Sequence, residues 1–178
     1  VGADVLMGGD GGDSYLYEGD DNLDAPDTIS DTGTIGTDVI LVGTTISHLY
    51  MGGSTIAGIE GLTFVGGDHQ AASFIQSQFG TGLISTAFQL TGVDGLGQIV
   101  EIHQASNFSA ADWQFTNWSS TDSISIFGID SSNDVITGSS RKDSIFGDGG
   151  DDIIRGGGGA DFLNGGEGSD TYLYTAGE

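Results

Sequence analysis

The sequence predicts an all-β chain wound as a parallel solenoid, and three observations predict it. In the last third, Asp134, Asp143, Asp152, Asp161 and Asp170 follow one another at a fixed step of nine residues, and two positions behind them stand Ile136, Ile145, Ile154, Leu163 and Tyr172. The stretch GADVLMGGDGGDSYLY at the front returns as GADFLNGGEGSDTYLY near the end, with 11 of 16 positions identical at an offset of 157. Between the two, short apolar or alternating segments recur every 10 to 15 residues, separated by Gly, Asp, Ser and Asn. A fixed short period sets the architecture and is read first. Short strands at such spacing mean an all-β fold.

Residues 1–34 form the first element. Asp4 and Asp13 repeat the nine-residue step, with Leu6 and Tyr15 two positions behind them and GGDGGD at 8–13. Six turn residues plus three strand residues make half of a flattened coil, so two units complete a turn of 18 residues. Glycines supply the positive φ that such tight bends demand. Only the eighth position of each unit points inward, so a large apolar residue belongs there. DNLDAPDTISDTG at 21–33 is acidic, holds the single proline, Pro26, and leads the chain out of this first roll.

Residues 35–130 lack the nonapeptide but keep a strand vocabulary: DVILV (38–42), LTFVG (62–66), ASFIQ (72–76), FQLTG (88–92), IVEIH (99–103), WQFTNW (113–118) and SISIFG (123–128). The simplest architecture is a broader, ion-free parallel β-helix; a β-sandwich inserted between two rolls is the alternative. ASNFSAADW (105–113) reads as a loop. Trp113, Phe115 and Trp118 read as core, with a sugar-stacking platform as the other use of such a cluster.

Residues 131–178 carry the repeat in full, with GDGGDD (147–152), GGGGAD (156–161) and GGEGSD (165–170) before the strand positions. Consecutive coils stack at about 4.8 Å, which places Asp134 over Asp152, Asp143 over Asp161, and Asp152 over Asp170. Two carboxylates at that separation repel by roughly 3.5 kcal/mol at an effective dielectric of 20. A Ca²⁺ held between turns converts this repulsion into cohesion, because Ca²⁺ takes six to eight oxygens.

The pattern resembles the GGxGxDxUx nonapeptide repeats of the RTX family of secreted bacterial proteins. That resemblance implies a Ca²⁺-loaded parallel β-roll, several ions, and ligands at the sixth-position aspartates and at carbonyls of the glycine loops. In this chain the implied ligands are Asp134, Asp143, Asp152, Asp161 and Asp170, with the carbonyls of Gly147, Gly149, Gly156, Gly158, Gly165 and Glu167. At the front they are Asp4 and Asp13, with Gly8 and Asp10. GSSRKD (138–143) and IDSSND (129–134) depart from the pattern: Arg141 and Lys142 stand where a glycine and a neutral residue are usual. These departures mark the passage from ion-free coils into the ion-bound roll. The resemblance further implies export unfolded through type I secretion and folding outside the cell, where Ca²⁺ is plentiful.

Composition narrows the function. Three Lys or Arg stand against 26 Asp or Glu, a formal charge of -23, which excludes nucleic acid and anionic membrane as partners. No run of eighteen apolar residues offers a membrane insertion. With 37% apolar residues the chain is not a disordered acidic linker. Zero cysteine excludes disulfides and thiolate metal sites. His48, His69 and His103 lie in no nucleophile or zinc spacing and read as surface or strand-edge residues, so no enzyme is expected.

The near-identity of the two ends, and a start at Val1, read as one period of about 157 residues, plus an overlap, excerpted from a tandem array. At about 20 residues per coil one period advances on the order of 38 Å. The leading expectation is a calcium-dependent structural repeat of an extracellular fibre, surface layer or adhesin. Its partners are neighbouring copies. A folding and secretion module attached to an enzyme or toxin is the alternative, and a glycan-binding module the third.

Overall fold

The computed structural model describes residues 3–19, 26–33 and 35–175; residues 21–25 of the acidic exit segment lie outside the described residues. Every strand pairing among the described residues is parallel. A sandwich built of hairpins is therefore ruled out for 35–130, because hairpins pair antiparallel. The chain is a β-solenoid.

Its strands line up in stacked faces. The first face holds β1 (Val5–Met7), β3 (Thr28–Ser30) and β6 (Thr55–Ala57). The second holds β2 (Ser14–Tyr17), β4 (Val39–Val42), β7 (Ile59–Phe64), β9 (Ile84–Thr91) and β12 (Gln114–Thr116). The third runs through β5 (His48–Tyr50), β8 (Ala71–Ile75), β10 (Ile99–His103), β13 (Ser123–Phe127), β15 (Asp143–Phe146) and β17 (Phe162–Asn164). The last holds β11 (Asn107–Ser109), β14 (Val135–Thr137), β16 (Ile153–Arg155) and β18 (Thr171–Leu173). A short 3-10 turn, Gln76–Gln78, joins the first face to the last. The Gln78 amide donates to the Met51 and Ser54 carbonyls on one side (2.6 and 2.9 Å). On the other, the Gln76 amide exchanges two hydrogen bonds with the Asn107 backbone (3.0 and 3.1 Å). The stretch read as a loop at 105–113 thus contains β11, a strand too short and too polar to show an alternation.

The coil changes shape along the chain. In the front and middle, partnered residues lie 22 to 28 positions apart, as in Val39 with Gly61 and Ala71 with Ile99. From β3 to β13 each coil turns three corners and has three sides. After β12 the second face stops. The step drops to 19 at Ile124 with Asp143 and then stays at 18, as in Val135 with Ile153 and Ser144 with Phe162. The roll is then two-sided. The coils of the middle are wider than the 20 residues expected, so 157 residues advance by roughly 30 Å and not the roughly 38 Å expected.

The change of shape decides which side chains fill the interior. Leu49, Ala72, Val100 and Ile124 form one inward rank, and Phe74, Ile102, Ile126 and Ile145 another, all buried. The three-sided coils leave a wider core, filled by Phe74, Phe79, Phe88, Phe108 and Trp113, with many of these rings edge-to-face at 5.5–6.1 Å. Trp113 and Trp118 are 2% and 6% exposed, so neither presents a face to a sugar. The flattened roll has room for single aliphatic residues, and Ile136, Ile145 and Ile154 occupy it. Arg141 lies over the Phe115 ring of β12 at 5.5 Å, at the point where the second face ends. The departure of GSSRKD from the repeat has this structural reason: its long cation caps the terminated face. No helix among the described residues is long and apolar enough to cross a membrane.

Candidate metal centre

Corner aspartates tie one coil to the next through a recurring bond. The backbone N–H of Asp134 donates to Asp152 Oδ1 (2.8 Å), that of Asp143 to Asp161 Oδ1 (3.0 Å) and that of Asp152 to Asp170 Oδ1 (3.1 Å). The same bond runs from Asp4 to Asp27 (3.0 Å), from Asp13 to Asp38 (2.7 Å) and from Gln98 to Asp122 (2.8 Å). The device therefore spans both the regular roll and the irregular coils. What differs is the fate of the second carboxylate oxygen.

In the middle coils that oxygen is satisfied. Asp122, fully buried, accepts from the Ser119 backbone N–H and hydroxyl (2.5 and 2.9 Å). In the roll, Asp134 Oδ1 and Asp152 Oδ2 are buried with no hydrogen-bond partner, each on a residue only 1% exposed. A buried, unpaired carboxylate oxygen is costly and calls for a counter-charge. Burial also raises the Asp134 pKa, with the neighbouring Asp152 and Asp148 charges pushing the same way.

Glycines shape the volume into which these oxygens point. A methyl group at Gly147 would collide with Asp152 Oδ2 and stand 2.6 Å from the Gly165 carbonyl oxygen of the following coil. At Gly128 it would collide with the Gly147 carbonyl and stand 2.5 Å from Asp134 Oδ2, the oxygen that accepts the Ile129 N–H (2.7 Å) beside the unpaired Oδ1. Oxygens of successive coils thus converge on a space that any side chain would fill, the donor set Ca²⁺ takes. On the outer rim, Asp130, Asp148 and Glu167 line a cleft and add negative charge.

The opposite edge is different. Asp143 takes the inward rank that Leu49, Ala72, Val100 and Ile124 hold in earlier coils, and it is fully buried. Burial pushes its pKa up to about 8. Ser139, standing where the repeat has glycine, donates its N–H (2.8 Å) and its hydroxyl (3.1 Å) to Asp143 Oδ2. This carboxylate is satisfied without a cation. One coil on, Asp161 lies against Gly156, and Asp170 against Gly165, both at the half-exposed end of the roll. Of the loop carbonyls, that of Glu167 accepts the Gly150 N–H (2.8 Å), Gly149 pairs with Glu167 across the coils, and the Gly158 N–H donates to the Ser139 carbonyl (2.9 Å).

At the front, Asp4 and Asp13 occupy different corners. Asp10 is exposed at the loop tip. Asp13 meets Asp31 and Asp38, with one oxygen of each within 4.8 Å of the others. Asp31 and Asp38 are 6% and 5% exposed. Hydrogen bonds from the Gly33 N–H (2.7 Å) and the Tyr15 hydroxyl (2.9 Å) reach Asp31, and the former is the main cause of its lowered pKa. Tyr15 is raised in turn, by burial and then by Asp31. A methyl group at Gly8 would stand 2.5 Å from Asp13 Oδ2, so the front corner reproduces the glycine-lined space of the roll. Sequence reasoning named Asp13 and Gly8 but missed Asp31 and Asp38. Asp31 lies 18 positions from Asp13, in register with the nine-residue step, but no glycine loop stands before it; Asp38, 25 positions on, is off the step.

The residues present fit a calcium ion. Residues 130–163 and 137–172 match the sequence profile of the RTX calcium-binding nonapeptide repeat (4 copies). No curated protein and no solved structure matches the chain. The chain carries RTX calcium-binding repeats over 130–172.

Proposed function

We propose that this RTX-repeat chain is a calcium-folded structural segment of an extracellular rod, one period of about 157 residues that stacks end to end with neighbouring copies. The observation that carries the proposal is the return of the first coil's residues in the last. β1 and β2 lie in the stretch 2–17, β17 and β18 in the stretch 159–174, and 11 of the 16 positions are identical at an offset of 157. Solenoids built of recurring units extend by stacking each unit on the next.

Within this reading, Asp134, Asp152 and Asp170, with the Gly147 and Gly165 carbonyls, hold Ca²⁺ on one edge of the roll. Asp161 and Gly156 serve the other edge, and Asp13, Asp31 and Asp38 the front corner. The ion supplies the positive charge that the three Lys and Arg cannot. The chain's own part is to aim oxygens, exclude water and keep glycine where a Cβ would intrude. Extracellular Ca²⁺ at roughly 10⁻⁴ to 10⁻³ M matches the affinity typical of such modules, so folding awaits export.

The test is a chain of two and then three periods joined at the 157-residue offset, measured by small-angle scattering in millimolar Ca²⁺. The maximum dimension should grow by roughly 30 Å per period, and with chelator that fixed increment should be lost as the two-sided rolls unfold between wide coils that stay folded. Copies that tumble independently, with no fixed increment, would remove the rod.

A further inference from the structure

The outer surface of the third face carries a group of a different chemistry. Two of the three histidines, on β5 and β10, converge on one carboxylate: His48 Nε2 lies 3.4 Å and His103 Nε2 3.6 Å from Glu101 Oε2. Ser73 on β8, between the two strands, donates its hydroxyl to the same oxygen (2.7 Å) and also contacts His48 Nε2. We propose that His48, Glu101 and His103 form a binding site for Zn²⁺ or a divalent ion of similar preference, distinct from the calcium corners.

The Ser73 hydroxyl hydrogen-bonds both His48 Nε2 and Glu101 Oε2, so an arriving ion takes the place of one of these bonds. Separations of 3.4 and 3.6 Å exceed the usual hydrogen-bond length. They match the donor-to-donor edges of about 3.3–3.6 Å that Zn²⁺ bonds of about 2.0–2.2 Å produce in a tetrahedron. A tetrahedral ion also needs the two imidazole nitrogens about 3.3–3.6 Å from each other, so binding draws His103, the more exposed of the pair, towards His48. Both rings are already oriented. His48 stacks on Tyr50 at 3.8 Å and 10°, and His103 on Phe127 at 4.9 Å and 8°. Side-chain exposures of 24%, 24% and 44% leave the group open to an arriving ion. Two nitrogens and one oxygen suit Zn²⁺, Ni²⁺ or Cu²⁺; Ca²⁺ takes oxygens.

The site is tested by titrating Zn²⁺ into the full chain held in millimolar Ca²⁺, with calorimetry and imidazole nitrogen resonances as readouts. Binding of about one equivalent that shifts the His48 and His103 resonances together is expected. His103→Gln, a change at a largely exposed position, should weaken binding by about tenfold or more while circular dichroism stays unchanged. His69→Gln, at a side chain 79% exposed and paired with Asp68, should leave the affinity as it was. No Zn²⁺ binding in Ca²⁺, or affinity unaltered by His103→Gln, would overturn the site.

Discussion

Asp152 joins three coils. Its Oδ1 receives the Asp134 N–H, its own N–H reaches Asp170, and its Oδ2 is buried without a partner. Asp152→Ala therefore strips an ion of a buried carboxylate and leaves the Asp134 N–H unpaired. We expect it to cost on the order of 3–5 kcal/mol in Ca²⁺, more than Asp170→Ala at the half-exposed end. A melting temperature equal to that of the parent chain would contradict the stacking. Asp143 gives the pH dependence of the calcium-free chain. Its folded pKa of about 8 lies above the ordinary aspartate value of 3.8, so its ionisation opposes folding. This contribution to stability is full below about pH 4 and lost as pH rises through about 8. Asp134 shifts in the same direction. In chelator, the chain should retain more β-structure at pH 5 than at pH 8 by circular dichroism, and the reverse order would refute the assignment. The corner aspartates of the roll were legible because each recurs at a fixed step. Asp38 was not, since a coil of 25 residues breaks the spacing, and Asp31, although 18 positions from Asp13, was not because no glycine loop stands before it. Nor was the hydroxyl of Ser139, which satisfies Asp143 in place of an ion.

At the scale of strands and coils, the boundary between three-sided and two-sided winding matters most. Arg141 covers the Phe115 ring where β12 ends the second face. Arg141→Ala should lower stability by about 0.5–1 kcal/mol and raise hydrogen exchange in β12, without touching Ca²⁺ affinity. A change in affinity would instead make Arg141 part of the ion site. Trp113 belongs to the ring cluster of the wide coils, and Trp113→Ala should cost about 3–5 kcal/mol irrespective of Ca²⁺. The strands themselves were readable from alternation, as in Ile99–His103 and Ser123–Phe127. The number of sides was not readable. A three-sided coil is set by where corners fall, and here the corners are closed by buried Gln70, Gln78 and Gln98, which follow no common step. β11 escaped notice for a related reason: three residues with one buried phenylalanine carry too little pattern.

Over the whole molecule, two kinds of cohesion meet in one solenoid. From Thr55 to Phe127 the coils are held by a continuous apolar core and by corners that Gln70 and Gln78 close with hydrogen bonds to neighbouring coils. The corner side-chain atoms left without a partner there, Gln70 Oε1 and Gln98 Nε2, are neutral and call for no counter-charge. From Asp134 onwards the core narrows to single aliphatic residues and the corners hold unpaired carboxylate oxygens. The front corner at Asp13, Asp31 and Asp38 repeats the ionic scheme. Calcium therefore should govern the two-sided roll and leave the wide coils largely intact. Amide hydrogen exchange along the chain, with millimolar Ca²⁺ and with excess chelator, tests this most directly. The account requires protection over residues 130–172 that appears with Ca²⁺ at a midpoint of about 10⁻⁴ to 10⁻³ M, while residues 55–127 change little. Equal protection of 130–172 in both conditions would contradict it.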